Sequence, residues 1–179
     1  MKNDVAPSKS YLVFGLFFGL LMILSFVLIY VSGINLVENR TVGTTSSIAN
    51  YFLLPVILIY LGCVNFKKNN GGLISFVECL KVGVSIAFVG ALILSIFNVI
   101  FNLLFPEYIE EILSQTRQIM IQSNPNLTSE QIESGINMTR KFSAPLFSVP
   151  ITLLMFSFLG LIYSLIIGLI VKKEHPQSF

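Results

Sequence analysis

Two asparagines in an apolar stretch are the first residues whose chemistry stands out. Asn98 and Asn102 are four residues apart, so a helix carries both amides on one face. An amide at membrane depth turns inward to a hydrogen-bond partner, and polar groups there can mark the route of an ion or small molecule. Two interpretations follow: polar contacts that hold helices together, or a polar path for a ligand.

Glu78 and Lys81 flank Cys79 shortly before this stretch. We expect both charges at the membrane–water interface, with the carboxylate of Glu78 either solvated or paired with a lysine. The lysines within reach in the sequence are Lys67, Lys68 and Lys81. A functional carboxylate at Glu78 is the alternative.

The residue sets of common catalytic centres are missing from the sequence. Cys63 and Cys79 have no Cys or His at metal-ligand spacing, and the single histidine, His175, lies in a polar tail. There is no HExxH motif, no Gly-rich phosphate loop and no Asp, Glu, Lys or Arg inside the core of any apolar stretch. We therefore expect no enzyme activity, no cofactor and no metal. The net charge of +2 is too small to indicate a nucleic-acid partner.

The composition indicates that lipid is the solvent for much of the surface. Apolar residues make up 54% of the 179 residues and charged residues 11%, whereas soluble domains carry roughly 25% charged residues. About 20 apolar residues in a helix span a bilayer, and helices satisfy the backbone groups that lipid cannot. We predict an all-α membrane protein, a single domain over 1–179, with four transmembrane helices. They cover about 11–32, 48–66, 75–105 and 146–171.

The distribution of basic residues predicts the orientation. Seven lysines fall on the side that carries both termini, whereas the other side has four basic residues and six of the nine acidic ones. Both termini are therefore predicted in the cytoplasm. The apolar core of the first stretch is longer than that of a signal peptide, so we expect it to remain uncleaved.

The connection over about 106–143 is predicted to be a helical hairpin outside the membrane. Its two halves are amphipathic and are separated by the helix-breaking sequence NPN at 124–126. Thr128 and Gln131 have the spacing of a capping box, and Arg140 and Lys141 suit the last turn of the second helix. The hairpin could cap the bundle or dock a partner.

Small residues recur four apart in three of the stretches. This spacing puts them on one face of each helix, where backbones can approach closely. One interpretation is packing within a single chain, and the other is a homodimer face. The residues are Gly15 and Gly19 in the first stretch, Gly83, Ala87, Ala91 and Ser95 in the third, and Gly160, Ser164 and Gly168 in the fourth.

Three segments together suggest a family. The chain reads KKNNGGLISF from Lys67 and ECLKVG from Glu78, and the third stretch ends in FPEY from Phe105. These segments resemble the bacterial membrane family of domain of unknown function 4199, over nearly the whole chain. The resemblance implies four spans and a bacterial inner-membrane location. That family has no established activity, so it assigns no functional residues.

Three functions compete. The first is a non-enzymatic structural or interaction protein, whose partners are the lipid bilayer and either a second copy or another membrane protein. The second is a small transporter or channel component with a polar path at Asn98 and Asn102. The third is a membrane enzyme, which has the least support. A dry bundle favours the first function. A polar cavity that reaches Asn98 favours the second function. The third needs an outer cleft that gathers Glu107, Glu110, Glu111 and Arg140.

Overall fold

A computed structural model of the chain describes residues 8–35 and 39–173. Its elements are α1 (Ser8–Val31), α2 (Arg40–Ile48), a π-helical segment (Ala49–Leu53), α3 (Leu54–Asn69), α4 (Phe76–Leu104), α5 (Glu107–Ser123), α6 (Ser129–Ser143) and α7 (Pro145–Val171). The predicted features at Lys2, Glu38 and His175 lie outside the described residues.

Four helical stretches are long and apolar enough to cross a membrane. They are α1, the continuous helix from α2 to α3, α4, and α7. Helices α5 and α6 form a hairpin between the third and fourth of these, so the predicted fold class is confirmed. We call the end of the bundle beneath α5 and α6 the hairpin end, and the opposite end the tail end.

The second spanning helix begins at Arg40, whereas hydropathy placed its start near residue 48. The additional turns are rich in Thr and Ser, which lower the hydropathy of this segment without preventing a helix. The hydroxyl of Ser47 donates to the carbonyl of Gly43 at 2.8 Å, so its polar group is satisfied within the helix itself.

Close helix contacts surround α4 and use the small-residue faces. A Cβ added to Gly15 or Gly19 of α1 would lie 2.6 or 2.8 Å from the Cβ of Val89 or Ile93 in α4. On the other side of α4, the same test places a Cβ on Gly83 within 2.5 Å of the Cβ of Ser164 in α7. The remaining small residues of these faces are also buried: Ala87, Ala91, Ser95, Gly160 and Gly168.

All three small-residue faces therefore pack inside one chain. This arrangement is internal packing of the kind that small residues allow. It also brings the backbones of α1, α4 and α7 close together, so that α4 forms the centre of the bundle.

We expect the contact between Gly160 and Ala87 to show coupling on mutation. A Cβ on Gly160 would lie 2.6 Å from the Cβ of Ala87, so Gly160→Ala should destabilise the protein by about 1–3 kcal/mol. Ala87→Gly removes the clashing atom, and the double variant should lose less stability than the sum of the single variants. Unfolding in denaturing detergent measures this, with lipid-facing Leu161→Ala as the control. Additive losses would contradict the contact.

Candidate functional site

A polar cavity of 340 Å³ lies at the hairpin end of the bundle. We call it the vestibule. Helices α1, α4 and α7 and the π-helical segment form its walls, and the first turns of α5 lie over it. Its polar lining includes Asn50, Ser95, Asn98, Asn102, Ser148 and Thr152.

The two asparagines singled out in the sequence both line the vestibule. Ser95, Asn98 and Asn102 lie on one face of α4, since they are spaced three and four residues apart. Among the described residues, neither amide makes a side-chain hydrogen bond to another helix. Their position therefore fits the polar-path interpretation better than that of interhelical contacts.

Two buried oxygens of the vestibule lack a hydrogen-bond partner in the described chain. The Oγ of Ser95, a residue only 3% exposed, is one, and the Oδ1 of Asn50 is the other. The Nδ2 of Asn50 is fixed, because it donates to the Oγ atoms of Ser25 at 3.0 Å and Ser46 at 3.2 Å. Burying a polar group without a partner costs about 1–3 kcal/mol. Both oxygens are closed to a water-sized probe in this structure, so a ligand of the cavity would bond them only after neighbouring side chains shift.

The floor of the vestibule is apolar. Phe18, Ala91 and Phe156 each lie one helical turn closer to the tail end than a residue of the lining, and all are fully buried. The rings of Phe18 and Phe156 meet edge to face with centroids 5.7 Å apart. Beyond them the buried core continues with residues such as Ile59 and Ile86. The vestibule therefore ends about halfway through the bundle.

An aromatic cluster positions α5 over the vestibule. Phe101 of α4 lies at its centre, with ring centroids 5.0 Å from Phe26, 5.0 Å from Tyr30 and 5.3 Å from Tyr108. Edge-to-face contacts of this kind link α1, α4 and α5. Burial raises the pKa of Tyr108, and nearby Glu111 adds to the effect. The phenol therefore stays neutral, and the whole lining of the vestibule is uncharged.

Pro55 explains how the π-helical segment presents Asn50. In a regular helix residue 55 would donate its N–H to the carbonyl of Tyr51, and proline has no N–H. The hydroxyl of Tyr163 in α7 donates to that carbonyl instead, at 2.7 Å. The widened turn runs over Ala49–Leu53 and carries Asn50 and Tyr51, which both line the vestibule. Such π-helical turns often occur at functional sites.

The bond from Tyr163 to Tyr51 should depend on Pro55. Tyr163→Phe removes the donor and should cost about 1 kcal/mol of stability. In a Pro55→Ala background the new N–H can serve the Tyr51 carbonyl, so the same substitution should cost clearly less. Unfolding of the four proteins of this cycle tests the coupling. An equal cost in both backgrounds would contradict the proposed role of Pro55.

Two ion pairs hold the hairpin together. The guanidinium of Arg140 binds both carboxylate oxygens of Glu110, at 2.6 and 3.0 Å, and Arg117 binds Glu133 at 2.7 Å. The capping box predicted at Thr128 is confirmed, because Thr128 and Gln131 bond each other reciprocally.

The acidic residues that an outer enzyme cleft would need do not gather there. Glu110 is paired with Arg140, and the carboxylate of Glu111 accepts from Gln115 at 3.1 Å, all on exposed surface. Neither these two nor Glu107 line the vestibule. The cleft that would favour the enzyme interpretation is therefore not formed by these residues in the described chain.

The hairpin should loosen at acidic pH. The Arg140 guanidinium lowers the pKa of Glu110 below its ordinary value of 4.5. The pair therefore stabilises the hairpin fully above pH 4.5 and loses this effect as the pH falls through the lowered pKa. Amide hydrogen exchange in α6, corrected for the intrinsic rate, should rise there. Glu110→Gln is the control, since it lacks this titration while Arg117 and Glu133 stay in place. An equal rise in both proteins would contradict the prediction.

Glu78 and Lys81 lie at the tail end and do not share a site with the asparagines. Along α4, Glu78 and Asn98 are separated by about 30 Å at 1.5 Å per residue. The carboxylate of Glu78 accepts from the backbone N–H and the Oγ of Ser75, at 2.7 and 2.8 Å, which caps α4. The predicted pairing of Glu78 with a lysine is therefore replaced by a capping box. The Ser75-x-x-Glu78 spacing was its signal in the sequence.

The tail end is closed by backbone contacts. The Nζ of Lys67 donates to the carbonyl of Val171 at 2.7 Å, and Ile74 exchanges two backbone hydrogen bonds with Lys173, at 3.0 and 2.9 Å. Lys81 is exposed. The buried thiol of Cys63 lies 3.8 Å from the carbonyl of Cys79. Within 8–35 and 39–173, no group of three His, Cys, Asp or Glu could hold a metal ion.

Sequence reasoning missed several polar residues of the vestibule, among them Asn50, Tyr108, Ser143, Ser148 and Thr152. The signal for α7 was present, because Ser148 and Thr152 are four residues apart in an otherwise apolar helix. Asn50 lay at the predicted edge of its span. A comparison of the polar residues that lie at equal membrane depth in all the spans would have grouped these residues with Asn98.

The fold and the vestibule define an integral membrane protein with four spans and a helical cap. The chain matches the family described as Protein of unknown function (DUF4199) over residues 13–173. It therefore belongs to that family, as the segments around Lys67 and Phe105 indicated. No curated protein and no solved structure matches the chain.

Proposed function

We propose that this membrane protein is a non-enzymatic binding protein that holds an uncharged polar group in the vestibule. The observation that carries the proposal is that Ser95 and Asn50, which each hold a buried oxygen without a partner, line the same cavity as Asn98 and Asn102. From the distribution of lysines, we place both termini in the cytoplasm of a bacterial inner membrane. The vestibule then opens outward.

The lining selects by charge. It contains amides, hydroxyls and aromatic rings, and no carboxylate, amine, guanidinium, thiol or imidazole. An ion in such a cavity would lose its hydration without gaining an opposite charge, which is costly in a low-dielectric region. Hydroxyl groups of a ligand can both donate and accept, and so match amides and hydroxyls. A nucleophile next to a general base is also lacking in the lining, which supports a role in binding.

Transport is the second candidate, and the π-helical segment favours it. A widened turn beside Pro55 interrupts the regular hydrogen-bond ladder of the second span, and such places are where helices bend. Bending there would move Tyr51, which stacks on Phe156 of the floor with centroids 5.5 Å apart. A transporter component would have to open this floor, whereas a binding protein keeps it closed.

The proposal requires that water reaches the vestibule, and labelling of introduced cysteines tests this requirement. Cysteine introduced by Leu94→Cys or Val149→Cys, at apolar positions of the lining, should react in intact cells with the small uncharged reagent hydroxyethyl methanethiosulfonate. Two variants serve as matched controls. Ala91→Cys lies in the buried floor, and Ile96→Cys lies on the lipid-facing side of α4, where Ile96 is 53% exposed. Both should stay unlabelled, as should the native protein, whose Cys63 and Cys79 are buried.

Occupancy should then slow this labelling. The protein carrying Val149→Cys is placed in phosphatidylcholine nanodiscs, and an uncharged hydroxyl-bearing probe is added. We use methyl glucoside in the buffer or glucosyl diacylglycerol in the bilayer. At least one of them should slow labelling, whereas charged phosphatidylserine should not. Labelling of exposed Ser134→Cys in the hairpin should be unaffected. No reaction at Val149→Cys, or no slowing by either probe, would refute the binding function.

A further inference from the structure

A second cavity lies beside the vestibule and shares part of its lining. This side cleft has a volume of 210 Å³ and lies between the end of α4 and the start of α7. Apolar residues dominate its walls: Val99, Leu103, Ile109, Ala144 and Pro145. It shares three lining residues with the vestibule: Asn102, Ile109 and Ser143. The apolar side cleft and the vestibule therefore adjoin at Asn102.

The outer side of the cleft faces lipid. Leu103 is 75% exposed, Leu146 is 77% exposed and Ile100 is 52% exposed, and all three belong to membrane-spanning helices. Large apolar side chains with this exposure indicate contact with acyl chains, because lipid is the surrounding solvent. The cleft therefore leads from the bilayer, whereas the vestibule offers the hydrogen-bonding groups.

The packing of α4 explains why the gap lies here. Toward the tail end, α4 meets α7 through Gly83, Ala87 and Gly160, which bring the two backbones close. Toward the hairpin end, the corresponding residues of α4 are Asn98, Val99 and Asn102, which are larger. Helix α7 also begins at Pro145, after the extended backbone of Ala144 (φ −63°, ψ 140°). The helices are therefore close at one end and separated at the other.

We infer that the polar group bound in the vestibule is the uncharged, hydroxyl-bearing headgroup of a membrane lipid that enters through the side cleft. This inference rests on the proposed function and names the source of its ligand. The acyl chains would remain in the bilayer while the headgroup hydroxyls reach Ser95 and Asn50. A sugar or a glycerol moiety has this chemistry, and a dissolved polyol is the alternative source of the same chemistry.

The charges around the cleft favour an uncharged headgroup over a phosphate. Arg140 lines the cleft, but Glu110 occupies both ends of its guanidinium, at 2.6 and 3.0 Å. The pair is neutral as a whole, so it attracts a phosphate less strongly than a free guanidinium would. No other cationic side chain lines either cavity within the described residues.

Blocking the cleft separates the two sources of ligand. Val99→Phe fills the cleft, and Ile100→Phe puts the same ring on the neighbouring lipid-facing position. Each substitution is combined with Val149→Cys in phosphatidylcholine nanodiscs, and labelling is compared with and without glucosyl diacylglycerol. The lipid should slow labelling in the parent and with Ile100→Phe. With Val99→Phe the protection should fall at least about tenfold, because the new ring occupies the space through which the lipid enters.

A second substitution tests the polar end of the site without the cleft. Ser95→Ala removes an unpartnered hydroxyl, so it should fold normally and should weaken protection by the lipid at least about tenfold. Co-purified lipid, counted by mass spectrometry, provides an independent readout, and glycolipid should be enriched in the parent over Val99→Phe.

The outcomes are distinct. Protection by methyl glucoside but not by the lipid, or equal protection in Val99→Phe and Ile100→Phe, would overturn the lipid inference and leave the vestibule as a site for dissolved polyols. Protection by neither probe would remove the proposed function as well. If Val99→Phe failed to fold, Val99→Leu, a smaller increase in volume, would replace it with the same expected direction.

Discussion

The close approach of α1 and α7 to the small residues of α4 is the constraint on which the bundle depends. In lipid there is no hydrophobic driving force between helices, so association rests on van der Waals packing and a few hydrogen bonds. Gly15 and Gly19 accept side chains of α4 from one side, and Gly160 fits against Ala87 on the other. A methyl group at any of these glycines would lie under 3 Å from its neighbour. At these glycines the helices of the packed half are in direct contact.

That constraint also explains why the vestibule exists. The small residues of α4 end at Ser95, and the next residues on that face are amides that hold the helices farther apart. Burying Ser95 without a partner costs roughly as much as one good packing contact contributes. Helix packing alone does not explain why two residues of one cavity carry such oxygens, because an alanine at position 95 would avoid this cost. The cost is understandable if the oxygens serve a ligand.

The sequence predicted the spans and the hairpin because both depend on local signals. Hydropathy needs only the order of residues along one helix, and the capping box at Thr128 needs only four consecutive positions. The small-residue faces were also visible, since their spacing of four is a property of a single helix. The sequence did not show whether these faces pack within one chain or form a dimer, because the answer depends on which helices become neighbours.

The vestibule depended on contacts that no single segment encodes. Asn50 becomes part of it because Pro55 leaves the carbonyl of Tyr51 without its helical donor, and Tyr163 replaces that donor from another helix, more than a hundred residues later. The side cleft likewise depends on where two distant helices end. Sequence periodicity describes one helix at a time, so it found Asn98 and Asn102 but not the residues that face them.

The same arrangement separates a rigid half from an adaptable one. The tail end is fixed by glycine contacts, by the capping box of Ser75 and by the backbone pair of Ile74 and Lys173. The hairpin end instead combines the widened turn, the vestibule and exposed ion pairs, and exposed pairs contribute little to stability. Regions with fewer buried contacts open at lower cost than the packed core. A headgroup that enters from the bilayer therefore meets the part of the protein that can move to admit it, while the closed floor below keeps the membrane sealed.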